Sequence, residues 1–408
     1  MLKRITLENF FSFGEPTTIE LNPGANLLVG INGSGKSNFL KAIRLLHEAV
    51  VGKGFEKTFL QEWGGFGNVA NVSGGTKDYI KLSYTFSDDV MKYKENIPKR
   101  NWEDASFDTI YNIVIHKIGA TSYYLEEHLS SNNGSLGNTT YIDVKNNKGQ
   151  LFAFAEDEAE KVQLIKYPNA AMSFSEFELI LRQLNQGVKL YFSIKEALEN
   201  IVTYDYFNTA ANSLVRQPST FGTEEKLLPT GENLNSIIQK LKNKHSLDYE
   251  KIEELLRDIN PNFKDITFNL YGSKSYLLLR EKNLANAIGI DHLSDGTLRY
   301  LLLLAIFYNP NRGTGICIDE PETGLHPDMI HTIAEAIKYA SKETQFFIAT
   351  HSPLLLNAFD LEDVLIFEKD KQNQTNVEYK SEDDFEDWNE HSLVGQLWLN
   401  GELGGKRW

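Results

Sequence analysis

A lysine and a serine near the N-terminus follow a glycine-rich loop at a spacing that suits phosphate binding. Gly30 and Gly35 are separated by four residues and are followed directly by Lys36 and Ser37, which completes the P-loop pattern G-x-x-x-x-G-K-S. In such a loop the glycines let backbone N–H groups curl around phosphate oxygens. The lysine neutralises the β- and γ-phosphates, and the serine hydroxyl binds Mg²⁺. We therefore predict a phosphate and Mg²⁺ site, against the alternative of a plain glycine-rich surface loop.

The elements around this loop are those that a P-loop needs. Leu27, Leu28 and Val29 predict a buried strand, and apolar residues recur at helical spacing after Lys36. The new helix would point its positive end at the phosphates. The residues predicted to bind the nucleotide are Gly30, Asn32, Gly33, Ser34, Gly35, Lys36, Ser37 and Asn38.

Two adjacent acids follow a second apolar strand. Residues 316–318 are apolar, and Asp319 and Glu320 come directly after them. An apolar strand that delivers two acids at its carboxyl end has the form of a Walker B motif. We predict that Asp319 is a Mg²⁺ ligand and that Glu320 orients or deprotonates the attacking water.

A histidine follows the next apolar strand along the chain. His351 comes directly after residues 345–350. A histidine after a strand is more often structural than catalytic, but one strand beyond the acid pair its ring can reach the γ-phosphate. We therefore predict that His351 is a catalytic residue that detects this phosphate.

A serine, an acid and a glycine precede a helix predicted over 298–308. Ser294 or Asp295 can cap this helix by accepting bonds from its free N–H groups. An exposed helix N-terminus that contains a serine and a glycine, here Ser294 and Gly296, can also bind a phosphate that another subunit presents. We favour the second role because the segment comes about twenty-five residues before the acid pair.

The composition of the 408-residue chain narrows the class of protein. A hydrophobic content of 41% is ample for a core, and no apolar run approaches the roughly 18 residues of a membrane span. The single cysteine, Cys317, excludes a disulfide framework, and the N-terminus alternates like a strand instead of forming a signal peptide. These features predict a cytoplasmic protein. The net charge of −15 disfavours a nucleic-acid-binding surface over the whole chain, while a local basic groove is compatible with it.

Apolar periodicity predicts strands towards both ends of the chain and helices between them. Alternation predicts two antiparallel strands at 2–8 and 17–21 and an antiparallel lobe over 79–154. Strands return at 266–271 and 276–280. Helices are predicted over 175–185, 193–203, 232–243 and 247–259.

The order of these motifs resembles that of a known group of ATPase heads. The P-loop, the Leu-Ser-x-Gly segment at 293–296, the acid pair and the distal histidine follow one another as in ABC-type ATPases of the RecF, SMC and OLD group. Residues 9–38, N-F-F-S-F-G-E-P-T-T-I-E-L-N-P-G-A-N-L-L-V-G-I-N-G-S-G-K-S-N, are similar to the start of SMC and RecF proteins almost position by position. The segment L-L-P-T-G-E-N-L at 227–234 resembles one in stand-alone predicted ATPases, many of them encoded beside mobile-element or phage-defence genes.

The resemblance implies a fold class and a division of the chain. The fold is α/β: a P-loop NTPase of the ABC-type ATPase head, with an antiparallel β lobe and a helical insertion. The N-terminal part of the head would span 1–174, the helical insertion 175–262, and the C-terminal part of the head 263–408.

The resemblance also implies a homodimer, or a higher homo-oligomer, in which two heads close around two ATP molecules. Ser294, Asp295 and Gly296 of one copy would then face the γ-phosphate held by the other copy. Asp295 departs from the family pattern, since transporter signatures have glycine there, so its carboxylate must point away from the phosphate or repel it. No glutamine can be assigned to the Q-loop; Gln61 and Gln163 are candidates.

Three functions are compatible with this resemblance. The first is an ATPase that senses DNA or an invader and controls a separately encoded effector in anti-phage defence or DNA repair. The second is the nucleotide-binding subunit of a transporter, which the antiparallel lobe and the non-glycine signature disfavour. The third is a self-contained OLD-like nuclease, which is disfavoured because the 57 residues after His351 leave no room for a Toprim domain.

Overall fold

The computed structural model describes residues 1–73, 77–87, 108–119, 122–132, 138–155, 158–169, 172–184, 188–385 and 393–404. The strands are β1 (Leu2–Glu8), β2 (Thr17–Glu20), β3 (Ala25–Val29), β4 (Tyr79–Phe86), β5 (Thr109–Ile118), β6 (Ser122–Asn132), β7 (Asn138–Lys145), β8 (Lys148–Ala155), β9 (Glu158–Tyr167), β10 (Ile201–Tyr204), β11 (Ser219–Thr220), β12 (Phe263–Tyr271), β13 (Lys274–Glu281), β14 (Ile288–Gly289), β15 (Gly315–Asp319), β16 (Gln345–Ala349), β17 (Val364–Lys369) and β18 (Thr375–Glu378). The helices are α1 (Lys36–Val50), α2 (Phe66–Val69), α3 (Ile180–Gln183), α4 (Lys189–Glu199), α5 (Leu234–Lys244), α6 (Ser246–Ile259), α7 (Asp295–Phe307), α8 (Pro327–Ala340), α9 (Pro353–Leu356) and α10 (Val394–Asn400), with a π-helical segment at Glu56–Glu62.

The chain forms two compact units, and each unit is built from three separate stretches of the sequence. The first unit comprises 1–23, 30–201 and 366–378, and the second comprises 24–29, 202–365 and 379–408. The predicted boundaries at 174 and 262 do not coincide with these limits, and the three-part division stays a prediction.

The first unit contains one long antiparallel sheet. Its strand order is β2-β1-β4-β5-β6-β7-β8-β9, and each adjacent pair is antiparallel. Alternation of buried and half-buried side chains along β5 gives the sheet one inner face. Helix α1 lies against β4, where the Tyr84 hydroxyl donates a 2.8 Å hydrogen bond to the Ala42 carbonyl. The predicted strand pair at the N-terminus and the predicted antiparallel lobe are confirmed.

The second unit contains the parallel strands that carry the acid pair and His351. The strand order is β10-β15-β16-β3, in which β15 is parallel to β16 and β16 is parallel to β3. Strands β3 and β16 are buried along their whole length, which explains why most of their residues are apolar. A second, antiparallel sheet of order β11-β13-β12, with β14 paired to β13, holds the strands predicted at 266–271 and 276–280.

The prediction of a helix over 193–203 is wrong at its C-terminal end, and that over 175–185 is too long. Helix α4 ends at Glu199, and the next residues form β10, which lies beside β15. The sequence Ile-Val-Thr-Tyr of β10 combines β-branched and aromatic residues that favour a strand once a sheet edge is available. The first predicted helix is reduced to the single turn of α3.

A buried carboxylate, Glu127 on β6, anchors the start of α3. Its Oε2 atom accepts a 2.7 Å bond from the Tyr111 hydroxyl and a 3.3 Å bond from the Leu181 amide, and Oε1 accepts from the Ile180 amide. Burial raises the pKa of Glu127 to about 7, and the three donors lower it by less than burial raises it.

We expect this carboxyl to make stability depend on pH. Between its ordinary pKa of 4.5 and about 7, the folded chain holds a proton on Glu127 that the unfolded chain has lost. The free energy of unfolding should therefore fall as pH rises through this window, by up to about 3 kcal/mol, and level off above it. Thermal unfolding from pH 5 to 8 measures the slope, and Glu127→Gln should flatten it. The exposed Glu176→Gln variant is the matched control; an unchanged slope in Glu127→Gln would contradict the assignment.

None of the helices in the described part of the chain has the length and the apolar character that a membrane crossing needs.

Candidate functional site

The P-loop follows β3 and occupies the first unit. Gly30, Gly33 and Gly35 have φ angles of +155°, +80° and +116°, in the left-handed region that side chains disfavour. A Cβ atom at Gly30 would collide with the Phe367 carbonyl oxygen and the Ser34 hydroxyl. The loop therefore depends on glycine for its curvature, as a phosphate cradle of backbone amides requires.

The ammonium of Lys36 lies inside this loop. Its Nζ atom donates to the carbonyl oxygens of Gly30 at 2.7 Å and Ile31 at 3.3 Å, and the residue is only 6% exposed. The position is suited to an anion, because burial keeps a fixed positive charge close to the curled backbone. Helix α1 begins at Lys36, so its N-terminus adds a partial positive charge to the same place.

The remaining loop residues differ in exposure. Asn32, Gly33 and Ser37 are exposed, whereas Ser34 is fully buried. Within the described residues, the Ser34 hydroxyl oxygen has no hydrogen-bond partner. A buried polar atom without a partner, beside a lysine and an exposed helix-end serine, fits a loop built to receive phosphate oxygens and Mg²⁺.

A side-chain network that the sequence analysis missed holds the P-loop in place. Asn38 donates its Nδ2 hydrogen to the Ser12 hydroxyl at 2.8 Å, and the Thr375 hydroxyl lies 2.7 Å from the same oxygen. Thr375 also bonds to the Ser34 carbonyl at 2.6 Å. Asn38, predicted to bind nucleotide, thus has a structural partner, and its nucleotide contact stays a prediction. The sequence signal was the hydroxyl at position 12 within the SMC-like stretch, which alone does not identify a contact.

The acid pair lies at the carboxyl end of β15 in the second unit. Asp319 is the last strand residue, and Glu320 adopts a left-handed conformation with φ +49°. The Glu320 amide donates to the Ala349 carbonyl at 2.8 Å, which ties this turn to the end of β16. A left-handed non-glycine residue held by its neighbours is a form of backbone strain that clusters at functional sites.

His351 lies beside Glu320 in the same unit. Its Nε2 atom is 3.7 Å from Glu320 Oε1, and the two side chains are 31% and 46% exposed. The Thr323 hydroxyl donates to the other carboxylate oxygen of Glu320 at 3.1 Å. The structure therefore brings together the two residues predicted to be catalytic, and leaves the carboxylate accessible.

A third acid, Glu322, accepts hydrogen bonds from the two residues that follow β16. Its Oε1 atom accepts from the Thr350 hydroxyl at 2.7 Å and from the His351 amide at 2.9 Å. Burial raises the pKa of the Glu322 carboxyl. Glu322 is not among the residues predicted from the sequence, although three acids within four positions at the end of a strand were a signal for it.

A cavity of about 420 Å³ opens beside the acid pair. Asp319, Glu320 and Arg299 contribute to its wall. The Arg299 guanidinium lies 4.1 Å from the centroid of the Tyr206 ring, and its Nη1 atom donates to the Thr323 carbonyl at 2.8 Å. The cavity provides space beside the Glu320 carboxylate, and Arg299 connects α7 to the turn that carries it.

The residues predicted to face the phosphate of another subunit, Ser294, Asp295 and Gly296, lie at the N-terminus of α7, and Ser294 caps this helix. The Ser294 hydroxyl accepts a 3.1 Å bond from the Thr297 amide, so the capping role is confirmed. Ser294 and Asp295 are exposed at the helix end, and Gly296 is half-buried. The Asp295 carboxylate bonds to Arg216 Nη2 at 2.7 Å. Contact of this segment with a phosphate of another subunit stays a prediction.

Neither Q-loop candidate is assigned by the structure. Gln61 lies in the π-helical segment and Gln163 on the outermost strand β9. Within the described residues, no group of three or more His, Cys, Asp or Glu side chains could hold a metal ion.

Comparison with known proteins identifies the family. The AAA ATPase domain family matches residues 1–356. The chain belongs to this family. It is an ATPase, and the predicted P-loop class and ABC-type head are confirmed. The chain is 22% identical over 403 residues to the retron Vc95 probable ATPase of Vibrio cholerae, covering 90% of this chain and 73% of the relative.

Further similarities support the same assignment. The retron Ec83 probable ATPase of Escherichia coli is 23% identical over 399 residues, covering 88% of this chain and 70% of the relative. A solved SMC head, crystallised with the C-terminal winged-helix domain of ScpA, superposes with a TM-score of 0.52 at 15% identity. That comparison covers 93% of this ATPase and 98% of the SMC head, and it shows the SMC-type head fold.

Proposed function

We propose that this ATPase binds Mg²⁺-ATP, closes against a second copy, and so controls a separately encoded effector in anti-phage defence, with DNA or another invader component as its trigger. The proposal rests on the ATPase family and on one observation above all: Glu320 and His351 meet at the ends of parallel strands. A carboxylate and a histidine at this edge can act on a phosphate and on water.

The P-loop residues would bind the triphosphate. The loop amides from Gly30 to Gly35 would surround the phosphate oxygens, and Lys36 would neutralise the β- and γ-phosphates with the ammonium that lies inside the loop. The Ser37 hydroxyl and the Asp319 carboxylate would be the protein ligands of Mg²⁺. Bound there, the metal ion supplies charge stabilisation to the phosphate oxygens.

Glu320 would orient or deprotonate the attacking water. Its carboxylate is fixed by Thr323 and by the bond of its own amide to Ala349, so it keeps one direction without being buried. His351, held at its amide by Glu322, would report the γ-phosphate to Glu320. Departure of that phosphate would remove the partner of the imidazole.

Two copies would close head to head around two nucleotides. Ser294 and Gly296 lie at the N-terminus of α7. The N–H groups of a helix N-terminus and the helix dipole favour an anion there. A γ-phosphate bound to the P-loop of one copy would meet this helix end of the other copy. Closure would then depend on ATP, and hydrolysis would open the pair.

The defence role is supported by the two retron relatives, whose names record probable ATPases of retrons. A plaque assay in a bacterial host that expresses this chain with its native neighbouring genes tests the role. We expect protection against phage that is lost with Lys36→Ala and with deletion of the effector gene. The exposed Lys371→Ala variant should protect as well as wild type.

Four results would contradict the proposal. Protection by this chain without its neighbours, or DNA cleavage by the pure protein that survives Lys36→Ala, would indicate a nuclease. Recovery of the protein in a complex with a membrane permease would indicate a transporter subunit. Protection that persists in the Lys36→Ala variant would show that the phenotype does not depend on ATP.

A further inference from the structure

A buried arginine, Arg216, lies against the segment that leads into α7. It ends a short 3-10 turn, Leu214–Arg216, and only 6% of its surface is exposed. A guanidinium carries five N–H donors and a charge that is lost with difficulty, so burial is tolerated when acceptors surround it.

The acceptors come from two places in the chain. Nε donates to the Thr209 carbonyl at 2.7 Å. Nη1 donates to three carbonyl oxygens of the segment 290–295, and Nη2 to the carboxylate that follows them. These acceptors are Ile290 at 3.1 Å, Asp291 at 3.1 Å, Leu293 at 2.8 Å and Asp295 Oδ1 at 2.7 Å. One side chain therefore fixes the whole approach to the N-terminus of α7.

The bond to Arg216 determines where the negative charge of Asp295 lies. Asp295 is the first residue of α7, and its carboxylate is 67% exposed, at the helix end proposed to meet a γ-phosphate. A free carboxylate in this position would repel the phosphate, since like charges at an interface are unfavourable. The bond to Arg216 holds the carboxylate to one side and compensates its charge.

We propose that Arg216 is a positioning residue for the contact between two ATP-bound copies: it holds the segment 290–295 and keeps the Asp295 carboxylate away from the incoming phosphate. This inference rests on the proposed head closure. It explains how a chain with aspartate at this position keeps a phosphate-binding helix end.

The test uses the full chain with Glu320→Gln, in which closed pairs should accumulate with ATP. Arg216→Met should weaken the ATP-dependent self-association by about tenfold or more, as expected when a like charge faces the phosphate. Adding Asp295→Asn should restore a large part of the loss, because it removes the repelling charge. Asp295→Asn alone keeps an oxygen that can accept the Arg216 bond, so it should weaken self-association less than Arg216→Met does.

Arg312→Met is the matched control. Arg312 is also a buried arginine of the second unit, 5% exposed, and it donates to the carbonyls of Phe307 and Asn309 at the other end of α7. Arg312→Met should lower thermal stability. It should not cause a loss of self-association that Asp295→Asn restores. ATP affinity measured at protein concentrations that keep the chain monomeric should be unchanged in Arg216→Met, because its bonds lie outside the P-loop.

Amide hydrogen exchange of the ATP-free protein gives a readout that is independent of closure. Arg216→Met, or Arg216→Lys if the first variant does not fold, should speed exchange over 290–297 more than Arg312→Met does. The inference would be overturned if amide exchange over 290–297 were unchanged in the Arg216 variant. It would also be overturned if Asp295→Asn did not restore the weakened self-association. A Glu320→Gln parent that stays monomeric with ATP would instead overturn the proposed closure, and exchange alone would then decide the role of Arg216.

Discussion

A Glu320→Gln variant should bind ATP nearly as well as wild type and hydrolyse it about 10²- to 10⁴-fold more slowly, the range expected for loss of a general base. The amide keeps the shape of the side chain and can still accept the Thr323 bond, while it removes the charge that polarises water. Nucleotide titration and steady-state phosphate release measure the two quantities. The exposed Glu335→Gln variant on α8 is the matched control and should hydrolyse ATP at the wild-type rate.

The same variant should trap closed pairs. With ATP it should elute and sediment as a dimer or larger assembly, and without ATP as the smaller species. Adding Ser294→Arg should return it to the ATP-free state, because a long cation fills the helix end that receives the phosphate. Hydrolysis at the wild-type rate, or an assembly state that ignores ATP, would refute the proposed mechanism.

Lys36→Ala should abolish measurable ATP binding. Truncating one partner of a buried, hydrogen-bonded charge pair costs about 2–5 kcal/mol, which corresponds to a loss of affinity of roughly 30- to 5,000-fold. Lys36→Met keeps the aliphatic stem and should lose affinity equally, which separates the charge from packing. Equilibrium titration of the folded variants measures this, with Lys371→Ala as the control lysine. Normal affinity in either Lys36 variant would remove the P-loop from the ATP site.

Much of the local structure could be predicted because it depends on near neighbours in the chain. The turn from β3 into α1 follows from glycines at fixed spacing and from apolar residues on either side of them. The Ser294 cap follows from a hydroxyl at the residue before a helix. The helix predicted at 193–203 failed at its end because a sheet neighbour, β15, decided the state of 201–204.

The sequence by itself determined the loop chemistry, the order of the motifs and the family that they resemble. Tertiary structure decided which residues support them: Thr375 reaches the Ser34 carbonyl across 341 positions, and Arg216 reaches Asp295 across 79. Periodicity records which face of an element is apolar, but it contains no information about which distant side chain will meet that face. Hydrogen bonds between distant segments exist only after the sheets have formed, and for that reason the residues that hold the P-loop and the α7 terminus became visible only in the folded chain.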